Sequence, residues 1–240
     1  SRLHFLPDGK KIAVLPSSSR RQAILQSLER RGRNSKYLPW CDIDKEYFTA
    51  SADINAVVED ADIVIMAMPS AYMKKFLEPL TVDLSNKIVV SVVKGIIPGD
   101  YLTIVEHIHR YYNVPMQNLC VVTGPSHAEE VAQGRLSYLT VAAEDKSTAE
   151  SVRAVLENEF FRCSLSDDVL GVEGAAIMKN IYALAVGMAV GLRFGDNFLA
   201  VLIAGCANEM KRFLDEAIPI ENRDINISAY MGDLLVTCYS

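Results

Sequence analysis

Five apolar runs rich in β-branched residues punctuate the first two thirds of the chain: residues 10–15 (KKIAVL), 62–68 (DIVIMAM), 87–93 (KIVVSVV), 119–123 (LCVVT) and 138–143 (YLTVAA). They are short, and they lack the apolar–polar alternation of a strand with one wet face, so they predict strands buried on both sides. Between them, residues 20–31, 100–112 and 148–157 repeat apolar positions at helical spacing. Strands alternating with helices predict an α/β fold, a doubly wound and mainly parallel Rossmann-like sheet with helices on both faces.

Past Asp167 the strand pattern stops, and residues 172–191 and 197–217 read as long apolar helices. Ser166, Asp167 and Asp168 offer the side-chain oxygens suited to a helix N-terminus. The expected organisation is a strand-and-helix part over residues 1–165 and a smaller all-helical part over residues 166–240, docked with a cleft between them. The apolar stretch 175–191 is interrupted by Lys179 and Asn180 and falls short of the roughly 20 apolar residues of a membrane span, so a buried helix is expected there.

Composition narrows the partners. With 50% hydrophobic and 22% charged residues the chain fits a soluble domain and excludes disordered and collagen-like classes. Lys+Arg minus Asp+Glu is 24 − 30 = −6, which argues against nucleic acid and anionic membranes and requires a local cationic pocket for any small anion. The five cysteines, Cys41, Cys120, Cys163, Cys206 and Cys238, form no C-x-x-C pair and read as reduced thiols of a cytoplasmic protein; the N-terminal residues lack the apolar core of an export signal. The four histidines have no metal-ligand spacing, so no metal site is expected.

In an open α/β sheet, ligands sit beyond the carboxyl ends of the strands. Pro69 and Ser70 follow the second run, where backbone N–H groups and a hydroxyl face the crevice; a Ser-capped turn has the same letters. Lys94 and Gly95 follow the third, a cation at a strand tip or a solvated turn lysine. Gly124, Pro125, Ser126 and His127 follow the fourth and lead into a short helix, an arrangement open to a phosphate or carbonyl oxygen and equally to a capped turn. Lys179 stands within an apolar helix near Ala175, Ala176 and Ala183. There burial would lower its pKa toward that of a general acid/base, unless the side chain snorkels out. Asn180 beside it is either a hydrogen-bond partner or a cap, and Asp233 and Thr237, four apart, would share one helix face.

Taken in order, residues 91–95 (SVVKG), 124–134 (GPSHAEEVAQG), 166–173 (SDDVLGVE), 179–197 (KNIYALAVGMAVGLRFGDN) and 232–240 (GDLLVTCYS) resemble the NAD(P)-dependent glycerol-3-phosphate dehydrogenases, particularly the bacterial type. The resemblance runs over roughly residues 36–240, beginning at Tyr37 to Pro39. It implies reversible reduction of dihydroxyacetone phosphate to sn-glycerol 3-phosphate with NADH or NADPH, supplying phospholipid synthesis. On the matching positions Lys179 would be the catalytic proton donor and acceptor, and Lys94 would serve catalysis, substrate and cofactor. Gly124, Ser126, Asn180, Asp233 and Thr237 would contact a small phosphorylated three-carbon substrate. Pro69, Ser70, Ala128 and Arg20 would contact NAD or NADP. The apolar helices of the second part are compatible with a homodimer.

Two features depart from that family. No G-x-G-x-x-G occurs, and the first run passes into Pro16, Ser17, Ser18, Ser19, Arg20 and Arg21, where the family has a glycine loop, a helix and a second strand. A block of about 25 residues, one helix plus one strand of a βαβ unit, is expected to be absent at that junction. The family's phosphate-gripping Arg-Asn segment would follow Ser240, so the expectation is a sequence that is part of a longer protein. The alternative reading is a catalytically inactive relative that binds a phosphometabolite or a protein partner.

Overall fold

The computed structural model describes residues 12–14 and 21–239. In chain order the elements are β1 (Ile12–Val14), α1 (Arg21–Arg31), β2 (Phe48–Ala50), α2 (Ile54–Glu59), β3 (Ile63–Met66), α3 (Met73–Leu77) and β4 (Ile88–Ser91). There follow α4 (Ile104–Tyr112), β5 (Leu119–Thr123), α5 (Ala128–Ala132), β6 (Ser137–Ala143), α6 (Lys146–Leu156) and β7 (Phe161–Ser166). The chain ends in helices: α7 (Val169–Gly191), α8 (Asp196–Ala217), a π-helical turn (Ser228–Gly232) and α9 (Asp233–Tyr239).

β1 and β2 pair in parallel with α1 as their crossover, and Ile24 and Leu28 of α1 pack on Phe48. The five remaining strands form one sheet in the order β3-β4-β5-β6-β7. Every pair in it is parallel except β5 and β6. The exception has a mechanical cause in α5. Its five residues rise about 7.5 Å, whereas returning along five residues of β5 needs about 17 Å, so the chain turns back at the same end of the sheet.

In β4 and β5 the uninterrupted apolar run is explained by burial on two faces. Val89 and Val121 point to one side, where they meet Ile104, Val105 and Ile108 of α4, Val172 and Ala175 of α7, and Met210 and Leu214 of α8. Val90, Cys120 and Val122 point to the other, against Ala149 and Val152 of α6. One apolar core therefore runs unbroken from the sheet into the C-terminal helices.

Two strands are additions to the sequence reading. β2 is three residues long and too short to show a period. β7 (FRCSLS) alternates apolar with polar residues at the sheet edge, and a search for continuous apolar runs passes over it. α7 begins where the acidic cluster predicts a helix start: the Asp168 carboxylate caps it by accepting from the Gly171 N–H. By length and composition α7 could cross a membrane, but half of it is buried inside the protein, including Glu173 and Lys179. Its outer side leaves Ile181, Leu184 and Met188 exposed, so burial is one-sided there. Four of the cysteines are buried, Cys238 is half-buried, and all five are free.

Candidate active site

The carboxyl ends of β4 and β5 and two C-terminal helices meet around one buried lysine. Lys179, in the middle of α7, is 3% exposed, and its Nζ forms an ion pair with the carboxylate of Asp233, the first residue of α9, itself 2% exposed. Thr123, the last residue of β5, donates its hydroxyl to Asp233 Oδ2 at 2.8 Å. Burial pulls the Lys179 ammonium down to about 8, and the nearby Lys94 ammonium adds to the effect, while Asp233 works in the opposite direction. The snorkelling alternative is thereby excluded: the side chain points inward.

Lys94 is exposed, just past β4, so of the two lysines it is the more open to solvent. Its neighbour Gly95 has φ +128°, and a Cβ there would stand 2.6 Å from Ser70 Oγ. The turns after β3 and β4 thus touch, bringing Pro69 and Ser70 beside Lys94 and Gly95. Pro69 precedes a short 3₁₀ turn (Ser70–Tyr72), and Pro69, Tyr72 and Ile96 are exposed around Lys94.

Gly124 is fixed by its own protein's backbone. At φ +146° a Cβ would lie 2.4 Å from the Tyr138 carbonyl oxygen and 3.0 Å from Leu139 Cα, so the close approach that the sequence assigns to a ligand is made to β6. Gly124→Ala is expected to lose about 2–4 kcal/mol, combining left-handed strain with a backbone clash. Urea unfolding midpoints would measure the loss. Pro125 packs against Gly232, where a Cβ would meet its ring at 3.5 Å, and this seats the β5–α5 turn on the residue preceding Asp233. Ser126 and Ala128 are exposed at this rim, and the Ser126 hydroxyl donates to the Gly124 carbonyl at 3.3 Å.

One alternative of the sequence reading needs correction. Asn180 is no helix cap, since α7 continues to Gly191; its side-chain amide donates back to the Ala176 carbonyl at 3.3 Å. Thr237 shares the α9 face with Asp233, as its spacing implies, and its hydroxyl donates to the Asp233 backbone carbonyl at 2.6 Å. Arg20 and the stretch 16–19, where the glycine loop was sought, lie outside the described residues. Among the described residues no cluster of His, Cys, Asp and Glu could hold a metal ion. His109 Nδ1 is instead 2.8 Å from the Val114 carbonyl, and His107 is buried against Tyr111 and Tyr112.

Pairings absent from the sequence reading complete the site. Thr123 braces Asp233 from the sheet. The π-helical turn leading into Asp233 is tied to β6 by the Ser228 and Thr140 hydroxyls at 2.8 Å. On its other side Tyr230 bonds to the Asp168 carboxylate, which is also held by Arg223 through Nε at 2.6 Å and Nη2 at 3.2 Å. Arg223 further reaches Asp215 at 2.8 Å and the Ile218 carbonyl at 2.6 Å. A polar frame thus joins the ends of α7 and α8 to the turn that places Asp233. Apart from Asp215 and Ile218, eight and five residues from Arg223, these partners lie 55 to 110 residues apart, and only Asp168, in the acidic helix start, and Thr123, a strand-terminal polar residue before a glycine, carry a local signal.

A buried, low-pKa lysine with a carboxylate partner and an exposed second lysine at a strand end can exchange a proton with a ligand and bind its negative charge. Comparison with known proteins places this arrangement. The NAD-dependent glycerol-3-phosphate dehydrogenase N-terminus matches residues 10–149, and the C-terminus of the same family matches residues 168–240. Glycerol-3-phosphate dehydrogenase [NAD(P)+] of Halothermothrix orenii is 35% identical over 97% of this chain, and that of Prosthecochloris aestuarii is 35% identical over 92%. The chain spans 66% of the length of each of these relatives. Among solved structures, glycerol-3-phosphate dehydrogenase (gpsA) from Coxiella burnetii superposes with a TM-score of 0.84 at 26% identity, over 96% of this chain and 69% of that one. The structure of DsGPDH of Dunaliella salina has the same fold, with a TM-score of 0.86 at 23% identity over 96% of this chain and 44% of that one. Both halves of the chain, the strand-rich part that carries Lys94 and the helical part that carries Lys179 and Asp233, belong to the NAD-dependent glycerol-3-phosphate dehydrogenase family.

Proposed function

We propose that the chain carries the catalytic site of an NAD(P)-dependent glycerol-3-phosphate dehydrogenase, interconverting dihydroxyacetone phosphate and sn-glycerol 3-phosphate. The observation that carries the reading is the Lys179–Asp233 pair, buried beside the strand-end Lys94. In the reduction, the Lys179 ammonium gives a proton to the oxygen that develops negative charge as the carbonyl carbon is reduced; in the oxidation, neutral Lys179 takes the hydroxyl proton. Asp233, held by Thr123, keeps Lys179 oriented and balances its charge. Lys94 supplies a second positive charge at the strand end, suited to an anionic substrate and to the developing alkoxide. Ser126 and Asn180 lie exposed and complete the proposed substrate rim.

A nicotinamide cofactor, when bound, supplies or accepts the hydride. The described residues fit its nicotinamide half: Pro69, Tyr72 and Ile96 give exposed apolar surface beside Lys94, with Ser70 and Ala128 at the edges. We assign residues 1–165 to cofactor binding and residues 166–240 to the substrate and proton-transfer groups.

The test is turnover against pH in both directions. With Lys179 titrating near 8, carbonyl reduction needs the protonated form and is expected to fall as pH rises through about 8. Alcohol oxidation needs the neutral form and is expected to rise through the same range. Triose-phosphate-dependent oxidation of NADH or NADPH, followed by the loss of reduced-nicotinamide absorbance, reads the first, and the reverse assay the second. Absence of turnover together with absence of nucleotide binding would leave the inactive-relative reading in its place.

A further inference from the structure

Glu173 lies on α7 six residues before Lys179 and is fully buried, with 0% of its surface exposed. Its Oε1 accepts from the Ser91 hydroxyl at 3.2 Å and its Oε2 from the Val105 N–H at 3.3 Å. The Thr103 hydroxyl and the Ile104 N–H also act on it, favouring its charged form. All of these donors are neutral: one side chain on β4, one at the N-cap of α4, and two first-turn backbone groups of α4. No basic side chain is paired with Glu173 among the described residues. Burial accordingly pushes its carboxyl up to about 7, against the hydrogen bonds, which lower it.

A carboxyl in such a place is costly, and an apolar side chain of similar size would fill the space without that cost. What the carboxyl adds is direction. Ser91 stands three residues before Lys94 on the β4 path, and three extended residues span about 10 Å. Glu173 stands six residues before Lys179, and six helical residues span about 9 Å. Nearly equal lengths therefore run from the Ser91–Glu173 bond to the two lysines, which lie close enough for Lys94 to lower Lys179. Six residues also turn the helix by 600°, so Glu173 and Lys179 leave it about 120° apart. With one side chain bonded to β4 and α4 and the other to Asp233, α7 can neither slide nor rotate without breaking one of the two contacts.

We propose that Glu173 is a positioning residue: its bonds to Ser91 and to the first turn of α4 set the register of α7 against β4, and so hold Lys179 between Asp233 and Lys94. The catalytic consequence rests on Lys179 being the proton-transfer group proposed above; the placement of Lys179 does not.

The experiment follows the Lys179 Cε resonance with pH in protein labelled with ¹³Cε-lysine, the signal being identified by its loss in Lys179→Arg. Glu173→Gln keeps the volume of the side chain and removes its charge; Ser91→Ala breaks the same tie from the strand side. Loss of the Glu173 negative charge alone would lower the Lys179 midpoint. Release of the ammonium from its buried position beside Lys94 would raise it. The expected result is a rise of about one pH unit in Glu173→Gln and a smaller rise in Ser91→Ala. A midpoint that stays or falls in both folded variants overturns the proposal. Kinetics on the same samples separate the two readings: Glu173→Gln is expected to lower kcat about tenfold to a hundredfold with KM little changed. If the native protein turns nothing over while the midpoint rises, the dehydrogenase reading fails and the positioning role stands. If turnover is normal and the midpoint does not rise, the positioning role alone fails.

Discussion

Lys179→Ala is expected to lower kcat about a thousandfold in both directions, the middle of the range that a positioned proton-transfer group contributes. No other group replaces it: Lys94 lies past the strand end in the open, and Asp233 is a carboxylate held in place by the Thr123 hydroxyl. The same substitution leaves the Asp233 carboxylate 2% exposed with Thr123 as its remaining partner at this site. Breaking one side of a buried ion pair typically removes about 3–5 kcal/mol of stability. Activity must therefore be measured at a temperature where the variant is folded by circular dichroism. Adding Asp233→Asn to Lys179→Ala removes the unpaired charge and is expected to recover most of the lost stability while recovering no turnover. Activity of the single variant within tenfold of the native protein would remove the acid/base assignment, and an unchanged melting temperature would show that the ion pair is not buried as described.

How much of this could be read from the sequence depends on the distance over which each feature is determined. The runs of β4 and β5 are legible because strands buried on both faces need no partner to declare themselves, and Val89 and Val90 divide between the two faces as that pattern requires. Lys179 was legible because a charge in an apolar helix is anomalous within a single turn. Glu173 meets the same criterion six residues earlier, but it stands close to the acidic group at the start of α7 and reads there as one more helix-initiating acid. Only its Ser91 and Val105 partners, 82 and 68 residues away, reveal it as buried. The antiparallel turn of β6 follows from the brevity of α5, a property that sequence boundaries blur. The π-helical turn has no apolar period to detect, and what it achieves, the placement of Asp233, depends on Thr140, Asp168 and Pro125 from three other parts of the chain.

Arg223 tests whether that placement is built by the polar frame. Its side chain is 1% exposed and engages four acceptors: both oxygens of Asp168, Asp215, and the Ile218 carbonyl. Burial opposes its charge, but the bonds and charge of Asp168 outweigh that and hold the guanidinium above its ordinary pKa, so it is charged at every pH of interest. Arg223→Met fills much of the space yet strands the Asp168 carboxylate, left with the Gly171 N–H and the Tyr230 hydroxyl. The expected loss is about 3–5 kcal/mol, seen as a lower urea midpoint with unchanged slope. Arg223→Lys is expected to recover little of it, because one ammonium on a flexible stem cannot meet a carboxylate bidentately and also reach two further acceptors on α8 and beyond it. Asp168→Asn combined with Arg223→Met removes the stranded charge and should restore part of the midpoint. The frame has a consequence at the site as well. Tyr230 lies in the turn that ends at Asp233, so a carboxylate at Asp168 that has lost its arginine no longer fixes the turn, and kcat is expected to fall about tenfold in the folded variant with little change in KM. A variant that loses stability but keeps full kcat would mean that Thr123 and Lys179 alone suffice to hold Asp233, and that the Arg223 frame serves the fold and not the site.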